Sequence, residues 1–271
     1  MAYAEVEGVR LYYEMAGGGH PVVFVYGHGL DSRMWHGQVD RVARSYTVVC
    51  YDLRGHGRSE APPTGYSLAH YAQELRDLVG HLGLRRVSLV GLSMGGNIAI
   101  EYALNHPDSL ATVVLVDTGL AGYGDEGQFN AMMAKRRALV QREGVGEKFV
   151  RATMMSLALK GVRWEPDTRA LVKAMVRGWS GAAWLDTAVY PPLEPTQAER
   201  VHQIAAPALV MVGERDGKRF HSIAEVLTRR IAVVRKAVIP GAGHLPPLEN
   251  PEAFNDVLID FLGGAVGKAL V

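Results

Sequence analysis

The sequence predicts an α/β protein in which helices cover both faces of a mostly parallel, doubly wound sheet of eight strands. Three observations lead to this prediction. Short apolar runs alternate along the chain with stretches of helical composition, which is the pattern of βαβ units. Glycine-rich turns follow several of the apolar runs, as they do where a strand ends and a helix begins. The 271 residues are enough for a sizeable core, and no internal repeat is present.

Six of the eight strands are predicted before residue 120. Residues 6–15 alternate around Gly8, which indicates an antiparallel hairpin at the edge of the sheet. Buried strands are expected at 21–26, 46–51, 87–90 and 110–116. Helices are expected at 35–44, at 68–82 after the capping residue Ser67, and at 97–104.

The pattern changes between residues 120 and 200. No run there resembles a strand, and the segment is helical in composition and rich in methionine and tryptophan. We therefore expect a helical cap at 120–200, inserted after the sixth strand into a core of residues 1–119 and 201–271. Strands at 208–212 and 233–239 and helices at 223–231 and 251–262 complete the core, and 263–271 reads as a frayed tail.

Composition limits the classes of partner and compartment. The 29 basic and 28 acidic residues give a net charge of +1 with no basic stripe, which argues against nucleic acid binding. The single cysteine, Cys50, excludes an internal disulfide. Neither a signal-like N-terminus nor an apolar stretch of membrane-spanning length is present, so we expect a cytoplasmic protein with no membrane partner. The oligomeric state cannot be predicted.

Residues 91–95, with the sequence G-L-S-M-G, form the central motif of the chain. They lie between the predicted strand at 87–90 and a helix, which is the context in which G-x-S-x-G presents a nucleophilic serine. A serine on so tight a turn is strained, and glycines on either side remove side chains that would collide across it. The motif predicts that Ser93 is exposed at a strand end, with the N–H of Met94 near a helix N-terminus.

A serine nucleophile needs a base, and the base needs an orienting acid. His244 is the one histidine of ten placed after the final predicted strand, where the chain order serine, acid, histidine requires it. Asp216 follows the strand at 208–212 and is the favoured acid. Asp117, which ends another strand, is the second candidate, and Glu214 competes locally with Asp216.

Four motifs together resemble those of the α/β-hydrolase family: G-L-S-M-G-G, D-L-R-G-H-G-R-S, G-E-R-D and G-A-G-H-L-P-P-L-E-N-P. The resemblance covers nearly the whole chain and is greatest to the carboxylesterase and enol-lactonase branch. It implies the α/β-hydrolase fold, with Ser93 as nucleophile, Asp216 as acid and His244 as base. It further implies an oxyanion hole formed by the backbone N–H groups of Met94 and His28.

The chain departs from the family where tyrosine replaces the usual histidine before Gly27-His28-Gly29. This raises the possibility that Tyr26 adds a hydroxyl donor to the pocket, although a tyrosine at a strand end more often packs its ring. The stretch 52–59 contains an aspartate and His56 and looks catalytic, but it resembles a structural loop of the family.

These parts describe acyl transfer through an acyl-enzyme that water then hydrolyses. The expected substrate is a small or medium uncharged carboxylic ester or lactone. No cofactor and no metal are expected, because neither a dinucleotide fingerprint nor histidine spacing typical of a metal site is present. The predicted pocket wall consists of Tyr26, Leu30, Trp35, Trp179, Trp184, Phe220, His221 and Leu245.

Three alternatives remain open from the sequence. Two keep an enzyme on the same fold: a cofactor-free perhydrolase or haloperoxidase-like enzyme, and a carbon–carbon bond hydrolase. The third is a ligand receptor on this fold, in which turnover is incidental. A serine at position 93, where epoxide hydrolases and haloalkane dehalogenases attack with a carboxylate, argues against those two relatives.

Overall fold

The computed structural model describes residues 2–124, 127–156 and 159–269. Within them eight strands form one sheet in the order β1-β2-β4-β3-β5-β6-β7-β8. The strands are β1 (Ala2–Val6), β2 (Val9–Gly17), β3 (Pro21–Val25), β4 (Thr47–Tyr51), β5 (Val87–Leu92), β6 (Leu110–Val116), β7 (Ala208–Gly213) and β8 (Val234–Ile239). The predicted fold class is thereby confirmed.

The sheet is parallel except at one edge. β1 and β2 form the predicted antiparallel hairpin, and β2 runs antiparallel to β4. Every residue of β5 and of β6 is buried. Such continuous burial is expected of strands covered on both faces, and it explains why these segments read as unbroken apolar runs rather than as alternating ones.

The helices outside the β6–β7 connection complete the core. They are α1 (His36–Val42), α2 (Leu68–His81), α3 (Met94–Asn105), α9 (Lys218–Arg230), α10 (Pro246–Glu249) and α11 (Pro251–Ala269). Ser67 caps α2 as predicted, since its side chain accepts a hydrogen bond from the N–H of His70. α2 packs against α3, and α1 packs against α11.

The connection between β6 and β7 contains only helices among its described residues. They are α4 (Gly127–Glu143), α5 (Glu147–Met154), α6 (Pro166–Gly178), α7 (Ala182–Leu185) and α8 (Gln197–Arg200). We call this segment the insertion. Its helical character agrees with the sequence analysis, whereas its status as a separate cap remains a prediction.

Several predicted boundaries were wrong, since β1 begins at Ala2 rather than at residue 6 and α3 begins at Met94 rather than at residue 97. α9 begins at Lys218, five residues before the expected start at 223. α11 continues to Ala269, although 263–271 was expected to be a frayed tail; residues 270–271 lie outside the described residues. The predicted helix ended at residue 262, directly before Gly263 and Gly264. Each added residue of an existing helix gains a hydrogen bond, so two glycines weaken a helix without having to end it.

None of the helices in the described ranges combines the length and the apolar character that crossing a membrane would require.

Candidate active site

The turn between β5 and α3 holds Ser93 in a backbone conformation that side chains rarely adopt. Its φ is 54° and its ψ is −113°. The turn is tight enough that a Cβ on Gly91 would collide with the carbonyl of Gly95, and a Cβ on Gly95 would collide with the carbonyl of Val25. The two glycines of the motif are therefore required by close backbone approach, and the strain at Ser93 is of the kind that clusters at functional sites.

Two backbone N–H groups beside Ser93 are available to a ligand. Neither the N–H of His28 nor that of Met94 donates a hydrogen bond to a described residue. The loop that carries His28 passes close to the serine, because a Cβ on Gly27 would lie 3.2 Å from the Cβ of Ser93. Met94 is also the first residue of α3, where the unpaired N–H groups and the helix dipole favour negative charge.

His244 and Asp216 form a buried pair. Nδ1 of His244 lies 2.8 Å from Oδ2 of Asp216, and the two side chains are 5% and 0% exposed. Asp216 follows β7 and His244 follows β8, so the parallel pairing of these strands brings the two residues together. The ring of Phe220 packs against the imidazole with a centroid separation of 4.3 Å. Nδ1–H thus points to the carboxylate, which leaves Nε2 for proton transfer.

Asp117 lies beside this pair and is also buried. Its Oδ1 accepts a hydrogen bond of 3.0 Å from the N–H of Gly213. Burial and the adjacent Asp216 carboxylate raise the pKa of Asp117 well above its usual range. The raised pKa favours the protonated form of Asp117, and Asp216 rather than Asp117 is bonded to the histidine.

Asp117, Asp216 and His244 each offer one ligand atom, and these atoms lie within 4.8 Å of one another. That spacing could hold a metal ion. The direct 2.8 Å bond between His244 and Asp216 uses two of those ligands for each other, which is the geometry of an acid–histidine pair rather than of a coordination shell.

The carboxylate of Glu249 holds the loop that carries His244. It accepts hydrogen bonds of 2.9 Å from the N–H groups of Gly243 and Leu245, the residues on either side of the histidine. It also accepts a 2.7 Å bond from the N–H of Arg163 in the insertion. The last acidic residue of the G-A-G-H-L-P-P-L-E-N-P motif thus has a positional role that the sequence analysis did not identify.

Ser93 and His244 line one cavity of about 360 Å³ between the strand ends and the insertion. Of the predicted site residues, the cavity wall includes His28, Leu30, Met94, Trp184, Phe220 and Leu245. Among the described residues no hydrogen bond joins Ser93 Oγ to the His244 ring. Proton transfer therefore requires these two side chains to approach to hydrogen-bonding distance, as often happens only once substrate is bound.

Four residues predicted to line the pocket do not. Tyr26 is fully buried, and its hydroxyl oxygen accepts the N–H of Leu53 at 2.5 Å, so it is not an extra donor to the site. Trp35 is fully buried and packs on Phe24 and Phe254 in the core, because its short helix turns it toward the sheet.

The other two corrections concern Trp179 and His221. Trp179 lies behind the wall, where it packs on the rings of His28 and Trp184 at centroid distances of 4.7 and 5.0 Å. His221 follows Phe220 on α9 and therefore points about 100° away from it around the helix. A tryptophan-rich composition does not reveal which rings form the wall and which support it.

The stretch 52–59, which looks catalytic in the sequence, instead supports the loop that carries His28. Nδ1 of His56 donates to the carbonyl of Arg54 at 3.0 Å, and Nε2 accepts the N–H of Gly29 at 3.3 Å. Asp52 accepts the N–H of Ser32 at 2.8 Å. These bonds tie the loop after β4 to the loop after β3, next to His28.

His56 is buried, and His28 is half-buried in the cavity wall. Burial, aided by His56 and Arg136, lowers the pKa of His28 to about 3. Burial likewise lowers the pKa of His56 to about 4. The ring of His28 stacks on Trp184 at a centroid distance of 4.9 Å, which fixes the backbone that carries its N–H.

The sequence analysis did not identify several wall residues contributed by the insertion. They share no motif and come from α4, α5 and the segment after it: Met132, Met133, Arg136, Phe149, Thr153, Ser156 and Leu159. Only the general richness in methionine indicated that α4 would contribute to the pocket.

Comparison with known proteins agrees with this architecture. A model described as the alpha/beta hydrolase family matches residues 22–257. The chain belongs to the α/β hydrolase family. The family resemblance inferred from the four motifs is therefore confirmed.

Two solved structures cover almost the whole chain. The enol-lactonase from Burkholderia xenovorans LB400 is 26% identical with a TM-score of 0.83, covering 97% of this chain and 100% of the enzyme. A thermophilic esterase from Thermogutta terrifontis is 29% identical with a TM-score of 0.82, covering 97% and 98%. The chain thus resembles the esterase and lactonase branch of the family, as predicted.

An uncharacterized protein of Mycobacterium tuberculosis is 36% identical over 119 residues, which are 44% of this chain. The match spans only 35% of that relative, or about a third of its length.

Proposed function

We propose that this α/β hydrolase cleaves small to medium carboxylic esters or lactones through a covalent acyl-enzyme. One observation carries the proposal. Ser93, held at a φ of 54° on the β5–α3 turn, lines the same cavity as His244, whose Nδ1 is 2.8 Å from Asp216. A strained serine, an oriented imidazole and unpaired N–H donors are the parts that acyl transfer requires.

In the acylation step Ser93 Oγ attacks the substrate carbonyl carbon while Nε2 of His244 takes the hydroxyl proton. The carbonyl electron pair moves onto oxygen, where the N–H groups of His28 and Met94 stabilise it. Each such donor contributes roughly 3 kcal/mol to lowering the barrier. The intermediate then collapses, the ester C–O bond breaks, and the departing alkoxide takes the proton from His244.

Deacylation repeats these steps with water as the nucleophile. His244 removes a proton from water, the hydroxide adds to the acyl carbon, and the same N–H groups bind the oxyanion. Collapse releases the carboxylic acid and returns the proton to Ser93. Throughout, Asp216 keeps the imidazole in the Nδ1–H tautomer and stabilises its positive charge. Asp216→Asn should lower kcat by about three to four orders of magnitude on this role.

The insertion acts in this proposal as the cap that shapes the substrate pocket. It supplies Trp184, Phe149 and Leu159 to a wall that is otherwise formed by the strand-end loops. The volume of about 360 Å³ is near the small end of the range for ligand sites, which favours short acyl and alcohol groups. The similarity to an enol-lactonase and to an esterase supports the same substrate classes.

The test is steady-state hydrolysis of 4-nitrophenyl esters from acetate to decanoate by wild type, Ser93→Ala and the control Ser222→Ala. Ser222 is an exposed residue on α9. We expect kcat/KM to peak among the shorter chains, to fall to background in Ser93→Ala and to be unchanged in Ser222→Ala. A fluorophosphonate should label wild type at Ser93, as mapped by peptide mass spectrometry.

Hydrolysis that survives in Ser93→Ala at the wild-type rate would overturn the proposal. So would a single stoichiometric burst of nitrophenol from the unlabelled wild type with no further turnover. That second outcome would point to the receptor alternative.

A further inference from the structure

The cavity wall contains two arginines, and one of them, Arg136, has no acidic partner among the residues that the structure describes. Arg136 and Arg219 line the cavity, and the described part of the wall contains no aspartate or glutamate. The remaining surface is mostly apolar, with methionines from α4 and aromatic rings from α5 and α7. Positive charge in an apolar, partly enclosed cavity attracts anions far more strongly than the same charge on an open surface.

Arg136 is held in place by a backbone contact. It extends from α4, and its Nη2 donates a hydrogen bond of 3.2 Å to the carbonyl of Ala152 on α5. A guanidinium has five N–H donors in a rigid fork, so one bond to a carbonyl leaves a face able to bind a carboxylate through two parallel hydrogen bonds. No carboxylate among the described residues forms an ion pair with Arg136.

The position of Arg136 places this charge near the proposed reaction centre. The residue is only partly exposed, and burial lowers the pKa of its guanidinium, although arginine stays charged. Its charge is also among the causes that lower the pKa of His28, whose backbone N–H belongs to the proposed oxyanion hole. The neighbouring wall residue Thr153 has a buried hydroxyl with no hydrogen-bond partner among the described residues.

Burying a cation without an anion is unfavourable, and a helix facing a purely apolar substrate could carry leucine or methionine instead. Arg136 also differs from its neighbours on α4. Lys135 is exposed and Arg137 bonds to the carbonyls of Trp184 and Asp186, so each has an ordinary surface or structural role. Arg136 is the basic residue of this group that faces the cavity.

We infer that Arg136 binds an anionic group of the substrate, so that the preferred ester or lactone carries a carboxylate separated from the scissile carbonyl. This inference rests on the proposed function and narrows it, since the sequence alone had suggested an uncharged substrate. The apolar wall accommodates the carbon chain between the two groups, and Arg136 aligns the carbonyl with Ser93 by holding the far end of the substrate.

The experiment compares matched anionic and neutral esters. The first pair is the mono-4-nitrophenyl ester of glutaric acid, which has a carboxylate at the end of the acyl chain, and 4-nitrophenyl pentanoate, which has none. The second pair is 4-carboxyphenyl acetate, which has a carboxylate on the leaving group, and 4-carbamoylphenyl acetate, whose leaving group is neutral. The readout is the ratio of kcat/KM for the anionic ester to that for its neutral partner.

In wild type we expect a ratio of about ten to a hundred in one of the two pairs, the range that a charge-assisted hydrogen bond provides. Arg136→Gln should bring that ratio to about one, and Arg136→Lys should keep part of it. Lys135→Gln removes one positive charge from the exposed face of the same helix and should keep the wild-type ratio. Thermal unfolding of each variant verifies that it is folded.

A wild-type ratio at or below one in both pairs would overturn the inference without reference to any variant. An equal decrease of the ratio in Lys135→Gln and Arg136→Gln would also overturn the inference. The preference for the anionic ester would then come from the overall electrostatic potential of the protein.

Separate measurements can refute the inference about Arg136 and the proposed function. Binding of glutarate to Ser93→Ala, measured by calorimetry, needs no catalysis and should weaken at least tenfold when Arg136→Gln is added. Unchanged glutarate binding would refute the role of Arg136 even if Ser93 proves to be the nucleophile. Hydrolysis that persists in Ser93→Ala would refute the nucleophile alone.

Discussion

The carboxyl groups of Asp117 and Asp216 lie against each other at the ends of the neighbouring strands β6 and β7, and only Asp216 is bonded to His244. Burial and the neighbouring Asp216 carboxyl raise the pKa of Asp117 well above its usual range. The raised pKa favours the protonated form of Asp117, which can donate a hydrogen bond to the carboxyl group bonded to the histidine.

Replacing Asp117 with asparagine should preserve activity and increase stability at high pH. Asparagine retains an oxygen for the N–H of Gly213, supplies an NH₂ to Asp216 and tolerates the φ of 40° at this position. The raised folded-state pKa of Asp117 contributes most to the free energy of unfolding below pH 3.8, the ordinary pKa of the carboxyl group. This contribution is lost as the pH rises above 3.8. At pH 8 we expect the free energy of unfolding of Asp117→Asn to exceed that of wild type by at least about 1 kcal/mol.

The measurement is urea unfolding of both proteins at pH 8 and at pH 4.5, where the difference should shrink, together with ester hydrolysis. A loss of activity in Asp117→Asn as large as that in Asp216→Asn would show that Asp117 is an orienting acid after all.

Removing the carboxylate of Glu249 should impair catalysis more than folding. Glu249→Ala leaves the N–H groups of Gly243 and Leu245 without their partner, so the loop that positions His244 loosens. We expect kcat to fall by about tenfold to a hundredfold, since small misplacement of a catalytic group has effects of this size. Glu249→Gln retains one acceptor oxygen and should recover part of the rate. Glu252→Ala, three residues later on α11, serves as the control.

Tyr26→Phe tests whether the hydroxyl at the position that departs from the family pattern stabilises the fold or takes part in catalysis. Within the described part of the chain the hydroxyl bonds only to the buried N–H of Leu53, so its loss leaves that donor unpaired and should cost about 1–3 kcal/mol of stability. Ester hydrolysis rates should stay within about twofold of wild type. A hydrolysis rate that falls tenfold with no change in the unfolding midpoint would show that Tyr26 acts in the active site after all.

The buried histidines should make the protein acid-sensitive. With pKa values lowered to about 3 for His28 and about 4 for His56, both stay neutral in the folded state while the unfolded chain binds protons below pH 6.5. Their stabilising contribution is therefore complete above pH 6.5 and is lost as pH falls. Between pH 7 and pH 5 the loss is about 2 kcal/mol for each histidine.

Urea unfolding at the two pH values tests this sensitivity. The variant His56→Asn should show a difference between pH 7 and pH 5 that is smaller than that of wild type, whereas exposed His81→Asn should not. Identical pH dependence in wild type and His56→Asn would contradict the assignment of His56 as a buried neutral residue.

Those parts of the site that depend on local backbone geometry could be predicted from the sequence. Ser93, Asp216 and His244 each follow a strand of a parallel sheet, and such strands end at a common edge, so pattern alone brings the three residues to one region. The glycines around Ser93 were informative because only a tight turn needs them.

Those parts that depend on tertiary packing could not be predicted. Trp35 and Trp184 are chemically identical, yet one fills the core beneath β3 and the other lines the cavity, because the direction of each is set by the elements packed around it. Arg136 carries no motif, and its significance comes from the absence of a described acid near it, which is a property of the folded wall. The role of His56 depends on a contact with Gly29, which is far away in the sequence.

The bond from Arg163 to Glu249 joins the insertion to the loop that carries the proposed base. The same carboxylate that receives this N–H from the insertion also sets the loop of the proposed base. Displacing the Arg163 segment outward breaks a bond to the group that positions His244. A change in the insertion at Arg163 would therefore also disturb the loop that carries His244.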